Sequence, residues 1–175
     1  MKKILFIKLF LLFLVFVVNA QKSTETQVKI TFLHVNDVYQ FMPVDGGDRG
    51  GLARLLTLKK KIVSENPNTI FTLGGDTISP SVETRTYKGA QMIDAWNAIG
   101  IDYAVFGNHE FDVKSDVLLQ RMKESKFQWI GTNVFDKKTN KIFADLPPFV
   151  IREIGGVKVG LIGLLTTDTE TSSKP

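Results

Sequence analysis

Short apolar stretches alternate with helix-patterned stretches along this chain, and each apolar stretch ends in a cluster of glycine, aspartate or asparagine. The alternating pattern of residues 28–32 (VKITF) predicts a strand. Leu52, Leu55, Leu56, Lys59, Ile62 and Val63 stand at helical spacing over residues 52–64, and Asn66-Pro67-Asn68 stops that helix. Residues 69–73 (TIFTL) read as a second strand. Ala90, Ile93, Trp96, Asn97 and Ile99 mark a second helix that stops at Gly100. Residues 103–106 form a third strand, residues 116–125 a third helix, and residues 128–130 begin another strand. Gly155-Gly156 separates two further apolar segments, 149–154 and 157–164, as the turn of a two-residue hairpin. Strand and helix alternating in this way make an α/β fold with a largely parallel sheet, and the late hairpin makes the sheet arrangement mixed.

Ligands of such sheets bind beyond the carboxyl ends of the strands. His34-Val35-Asn36-Asp37-Val38-Tyr39 follows the first predicted strand, Gly74-Gly75-Asp76 the second, and Gly107-Asn108-His109-Glu110-Phe111-Asp112 the third. Asp37 and Asp76 lie 39 residues apart, and Asp76 and Asn108 lie 32 apart. Each interval is one βαβ unit, which brings the three residues to one edge of the sheet. Converging carboxylates repel, and a proton or a divalent cation relieves the repulsion. A neighbouring carboxamide and imidazole favour the cation. Taken singly, an aspartate after a strand reads as a helix cap or turn former, and His34 as a packed or turn histidine; the three together point to a site.

Asn36-Asp37, Gly75-Asp76 and Gly107-Asn108-His109-Glu110, in that order, resemble the first three motifs of the calcineurin-like metallophosphoesterases. Gly50-Gly51-Leu52-Ala53-Arg54 and the full block from Gly107 to Asp112 are similar to the secreted 5′-nucleotidase and UDP-sugar hydrolase branch. The resemblance implies a layered α/β/β/α sandwich with mixed sheets, incomplete in this chain. It implies two divalent metal ions (Mn, Zn, Fe or Mg), with Asp37 on the first, Asp76 bridging both and Asn108 on the second. A water activated by the two ions would attack phosphorus, His109 would stabilise charge on the phosphoryl or leaving group, and Asp112 would orient His109. Glu110 reads as structural. Tyr39 stands where the family's common Asp-x-His pattern has histidine; it could ligate as a phenolate, hydrogen-bond to substrate, or do neither. Arg54 supports the metal loop or is a solvated surface residue.

Residues 1–20 carry Lys2, Lys3 and Lys8, an apolar run over 9–18 and small residues at Val18 and Ala20, the pattern of a cleaved export signal. The run is too short for a stable membrane span, and without cysteine a lipid-anchored lipoprotein is excluded. Residues 21–27 form a polar leader, and 28–175 the N-terminal part of a truncated catalytic domain. The whole chain has 22 basic and 18 acidic residues, but residues 21–175 hold 19 and 18, so no basic surface for a nucleic-acid polymer is expected. His34 and His109 are the only histidines, whereas the family completes its metal pair with later ones. The expected function is an exported, periplasmic or extracellular, metal-dependent phosphoester hydrolase acting on nucleotides or nucleotide sugars as small-molecule substrates. The alternative is a non-catalytic exported module or inactive fragment with an incomplete metal site.

Overall fold

A computed structural model describes residues 27–173. The expected export signal and residues 21–26 of the polar leader lie outside the described residues. Four strands form one parallel sheet in the order β1 (Thr31–Val35), β4 (Thr69–Leu73), β5 (Tyr103–Ala104), β6 (Gln128–Trp129). Between β1 and β4 the chain makes a small ribbon, β2 (Pro43–Val44) with β3 (Arg49–Gly50), and helix α1 (Leu52–Glu65). Helices α2 (Val82–Tyr87) and α3 (Ala90–Ile99) join β4 to β5. A 3-10 turn (Asn108–Asp112) and α4 (Ser115–Glu124) join β5 to β6. Strands β7 (Phe149–Ile154) and β8 (Val157–Ile162) form the expected hairpin, and α5 (Thr169–Ser172) follows.

The parallel sheet is sandwiched. On one face Phe71 and Leu73 of β4 pack with Met92, Ile93, Trp96 and Ile99 of α3, Leu118 of α4, and Phe106 and Trp129. On the other, Ile70, Tyr103 and Ile130 meet Val150, Ile154, Val159 and Leu161 of the hairpin. Residues alternating along β4 thus feed two cores, as the period of a strand requires. The hairpin is a sheet of its own rather than part of the parallel one. Gly155 (φ 58°) and Gly156 (φ 77°) supply the two positive φ angles that its tight turn needs.

The first strand sits later than its sequence pattern predicts. The Lys29 carbonyl accepts a hydrogen bond from the Asn66 carboxamide (3.1 Å), and the Thr31 N–H donates to the Asn68 carbonyl (2.9 Å). Pairing with β4 therefore begins at Thr31 and runs to Val35, with His34 opposite Thr72. Asn66 does more than end α1: it ties the helix exit to the entry of β1.

The Lys59-Lys60-Lys61 face of α1 is expected to be solvated, and Lys59 departs from that. Its ammonium donates to the carbonyls of Ile99 (2.8 Å) and Gly100 (2.6 Å), capping the C-terminal end of α3 with a positive charge. Lys59→Ala should cost about 1–2 kcal/mol, which lowers the melting temperature by about 2–6 °C for a domain of this size. Lys60→Ala, on the exposed side of the helix, is the control and should leave the melt unchanged.

Candidate active site

The ends of β1 and β4 are locked side by side. The Gly74 N–H donates to the Val35 carbonyl (2.7 Å), and the Asp37 N–H donates to the Gly75 carbonyl (3.2 Å). Asp37 and Asp76 both have φ of 56°, in the left-handed region that costs a residue other than glycine about 1 kcal/mol or more. Aspartate is among the few side chains that tolerate it. The chain therefore turns sharply at both strand ends, and two carboxylates stand on the turns.

The end of β5 closes on the same spot. A Cβ added to Gly75 would stand 2.1 Å from the Gly107 nitrogen, and one added to Gly107 would stand 2.1 Å from Asp76 Oδ1. Only glycine permits either approach. Asp76 Oδ1 accepts a hydrogen bond from the His109 N–H (2.8 Å). Asn108 begins the same 3-10 turn, and its Nδ2 donates to the Ser172 carbonyl (3.1 Å), leaving the carboxamide oxygen as the atom a cation could use. The loops of Asp37, Asp76 and Asn108 thus meet at one edge of the sheet.

Both oxygens of Asp37 are engaged. Tyr39 donates its hydroxyl to Oδ1 (2.7 Å), and the Asn36 carboxamide donates to Oδ2. These two bonds, Tyr39 first, hold the carboxyl below its usual pKa. Burial and the bond to Asp37 push the phenol of Tyr39 well above its ordinary value, so it stays a neutral donor in this arrangement. Its ring meets the His109 ring edge to face, with centroids 5.7 Å apart.

His109 Nδ1 lies 2.7 Å from Asp112 Oδ2. Burial opposes a charge on the imidazole, but the Asp112 hydrogen bond and the negative charges of Asp112, Asp76 and Glu110 outweigh it, and its pKa is raised. Asp112 caps no helix; α4 starts after Lys114 without a side-chain cap. Two clefts open at these loops, sharing Pro80. One, of about 430 Å³, is lined by Asp37, Tyr39, Gln40, Met42, Gly51 and Pro80; the other, of about 530 Å³, by Pro80, Ser81, Thr84, Arg85 and Asp112.

Among the described residues no three His, Cys, Asp or Glu side chains gather as a metal-holding group. What meets there is the loops of Asp37, Asp76 and Asn108, whose two carboxylates and one carboxamide oxygen are hard donors of the kind that could hold Mg or Mn. His34 takes no part: its Nδ1 is 2.8 Å from Thr72 Oγ1 within the sheet. Arg54 is also elsewhere. It donates to the carbonyls of Gly47 (2.5 Å) and Gly50 (3.2 Å), clasping the β2–β3 ribbon rather than the Asp37 loop.

Two buried residues organise the site: Thr77, which sequence reasoning missed, and Glu110, which it read as structural without naming its partners. Thr77 is fully buried, donates to the Val38 carbonyl (2.9 Å) and accepts from the Trp96 indole (2.7 Å), joining the loops of β1 and β4 to α3. Glu110 is also fully buried and binds four backbone N–H groups from two loops. Glu110 stands in a turn that also holds Asn108, His109 and Asp112, so its residue type did not set it apart, and nothing local marked Thr77.

Comparison with known proteins matches residues 30–169 to the calcineurin-like phosphoesterase family. A 5′-nucleotidase of Vibrio parahaemolyticus is 31% identical over 157 residues, covering 87% of this chain and 28% of the relative. The human 5′-nucleotidase is 29% identical over 160 residues, covering 84% and 28%. Among solved structures, the Thermus thermophilus 5′-nucleotidase precursor superposes with a TM-score of 0.72 at 27% identity, over 81% of this chain and 29% of that one. Haemophilus influenzae NAD nucleotidase gives 0.75 at 26% identity, over 85% and 28%. The chain spans about 28% of the length of the curated relatives it matches.

Proposed function

The chain belongs to the calcineurin-like phosphoesterases, with 5′-nucleotidases among its relatives, and from that premise we propose that it serves an exported, metal-dependent hydrolysis of nucleotide phosphoesters. Nucleoside monophosphates are the first substrates in this reading and nucleotide sugars the second. The observation that carries it is the meeting of three strand-end loops, in which the backbone of His109 grips the Asp76 carboxylate while the Asp37 N–H binds the Gly75 carbonyl.

Asp37, Asp76 and the Asn108 oxygen would hold divalent cations. When bound, such ions supply a more nucleophilic water and neutralise phosphoryl charge. The rest falls to the chain's own groups. Asp112 fixes the ring orientation of His109 through Nδ1 and favours its protonated form, which leaves Nε2–H free to donate to a phosphoryl or leaving-group oxygen. Tyr39 and Asn36 hold the Asp37 carboxylate ionised and in place. The cleft lined by Tyr39, Met42 and Pro80 offers the apolar surface next to Asp37 that a substrate could lie against.

The full-length protein, recovered from the exported fraction, is expected to release phosphate from AMP with Mn(II) and to stop with EDTA. His109→Ala should lower kcat by about 10²–10³-fold with little change in KM, because its hydrogen bond is worth most as charge develops. Retention in the cytoplasm, EDTA-insensitive turnover, or an unimpaired His109→Ala variant would contradict this reading.

A further inference from the structure

Glu110 has a carboxylate with no exposure to water, and among the described residues it forms no ion pair. Its partners are four backbone N–H groups. Oε2 accepts from Asp76 (2.7 Å) and Gly107 (2.6 Å); Oε1 accepts from Thr77 (2.7 Å) and Ile78 (3.2 Å). Three of these are successive amides of the loop after β4, folded into a concave nest of the kind that binds anions. The fourth belongs to the loop after β5. All four partners are donors, so both carboxylate oxygens act as acceptors of two bonds each.

The arrangement is reciprocal. The Glu110 side chain holds the N–H of Asp76, and the Asp76 side chain is held by the N–H of His109, next but one after Gly107. Neither loop can shift without breaking bonds of both kinds. Asp76 keeps its left-handed backbone because its own N–H and the two that follow are tied to one buried carboxylate. We propose that Glu110 is a positioning residue, whose buried carboxylate sets the loops of Asp76 and Asn108 in their ion-receiving arrangement before any ion arrives. The ion itself rests on the function proposed above; the clasp rests on geometry alone.

Two measurements on the full-length protein test this. First, hydrogen exchange in EDTA should find the amides of Asp76, Thr77, Ile78 and Gly107 as protected as those of β4, with little further slowing on adding Mn(II). Amides that exchange freely until Mn(II) is added would overturn the pre-set arrangement, with no variant needed. Second, Glu110→Gln replaces one acceptor oxygen by an NH2 facing N–H donors. It should weaken Mn(II) binding, read by the electron paramagnetic resonance of free Mn(II), by about 10–100-fold, as loss of a group supporting the ligands does. A Glu110→Gln protein that melts earlier yet binds Mn(II) as the unmodified one does would overturn the positioning role and leave the functional reading standing. No Mn(II) binding by the unmodified protein, with the amides protected, would overturn the functional reading and the positioning role together, leaving only a structural clasp.

Discussion

Asp76→Ala should abolish phosphate release from AMP in the full-length protein, a loss of at least about 10³-fold in kcat/KM. Asp76 ties the loop after β4 to the loop after β5 twice: its Oδ1 accepts from the His109 N–H, and its own N–H is held by Glu110. Removing it takes away the charge between the Asp37 side and the Asn108 side. Charge stabilisation by bound ions is worth several kcal/mol, and each 1.36 kcal/mol is tenfold in rate, which sets the scale of the loss. The variant loses one hydrogen bond and places alanine in a left-handed backbone, so stability should fall by about 1–3 kcal/mol. Retained activity in a folded Asp76→Ala protein would sink the assignment; a lost fold would show in its circular dichroism.

The largest effect on stability is expected from Gly75→Ala. The new Cβ would stand 2.1 Å from the Gly107 nitrogen and 2.6 Å from the Phe106 carbonyl carbon, both backbone atoms with no side-chain freedom to yield. The φ of 86° adds its own cost. Overpacking and the positive φ together should cost about 3 kcal/mol or more, a fall of about 6–12 °C in melting temperature. Activity should fall with it, since the same approach brings Asp76 to His109. Gly156→Ala is the control: its φ is 77°, but the added Cβ meets nothing within 4 Å, so about 1 kcal/mol is expected. Equal melts for the two variants would mean that the close approach at Gly75 does not constrain the fold.

The elements legible from sequence were those whose causes are local. Helical spacing from Leu52 with a stop at Asn66, the Ala90–Ile99 helix ended by Gly100, and the Gly155-Gly156 hairpin all appear where their patterns place them. β5 and β6 were expected to be longer; they are two residues each, although single backbone bonds continue beyond them, from the Val105 N–H to the Leu73 carbonyl (3.0 Å) and from the Ile130 N–H to the Ala104 carbonyl (2.9 Å). The start of β1 was misplaced because the competing bonds come from Asn66 and Asn68, more than thirty residues away. The same holds at the site. Strand-end position and spacing predict that Asp37, Asp76 and Asn108 share one edge, the family resemblance adds His109 and Asp112, and the loops that carry them do meet. Thr77 and Lys59 act through partners 19 to 41 residues distant, and Glu110 finds three of its four donors 32 to 34 residues away, so no local pattern announces those contacts.

The arrangement of hard oxygens at three strand ends is the centre of this account, and a crystal of the full-length protein soaked in Mn(II) tests it most directly. Anomalous difference density bounded by Asp37, Asp76 and Asn108, absent from Asp76→Ala crystals treated alike, is the predicted result. Density confined to other sites, or none in protein that hydrolyses AMP, would contradict it.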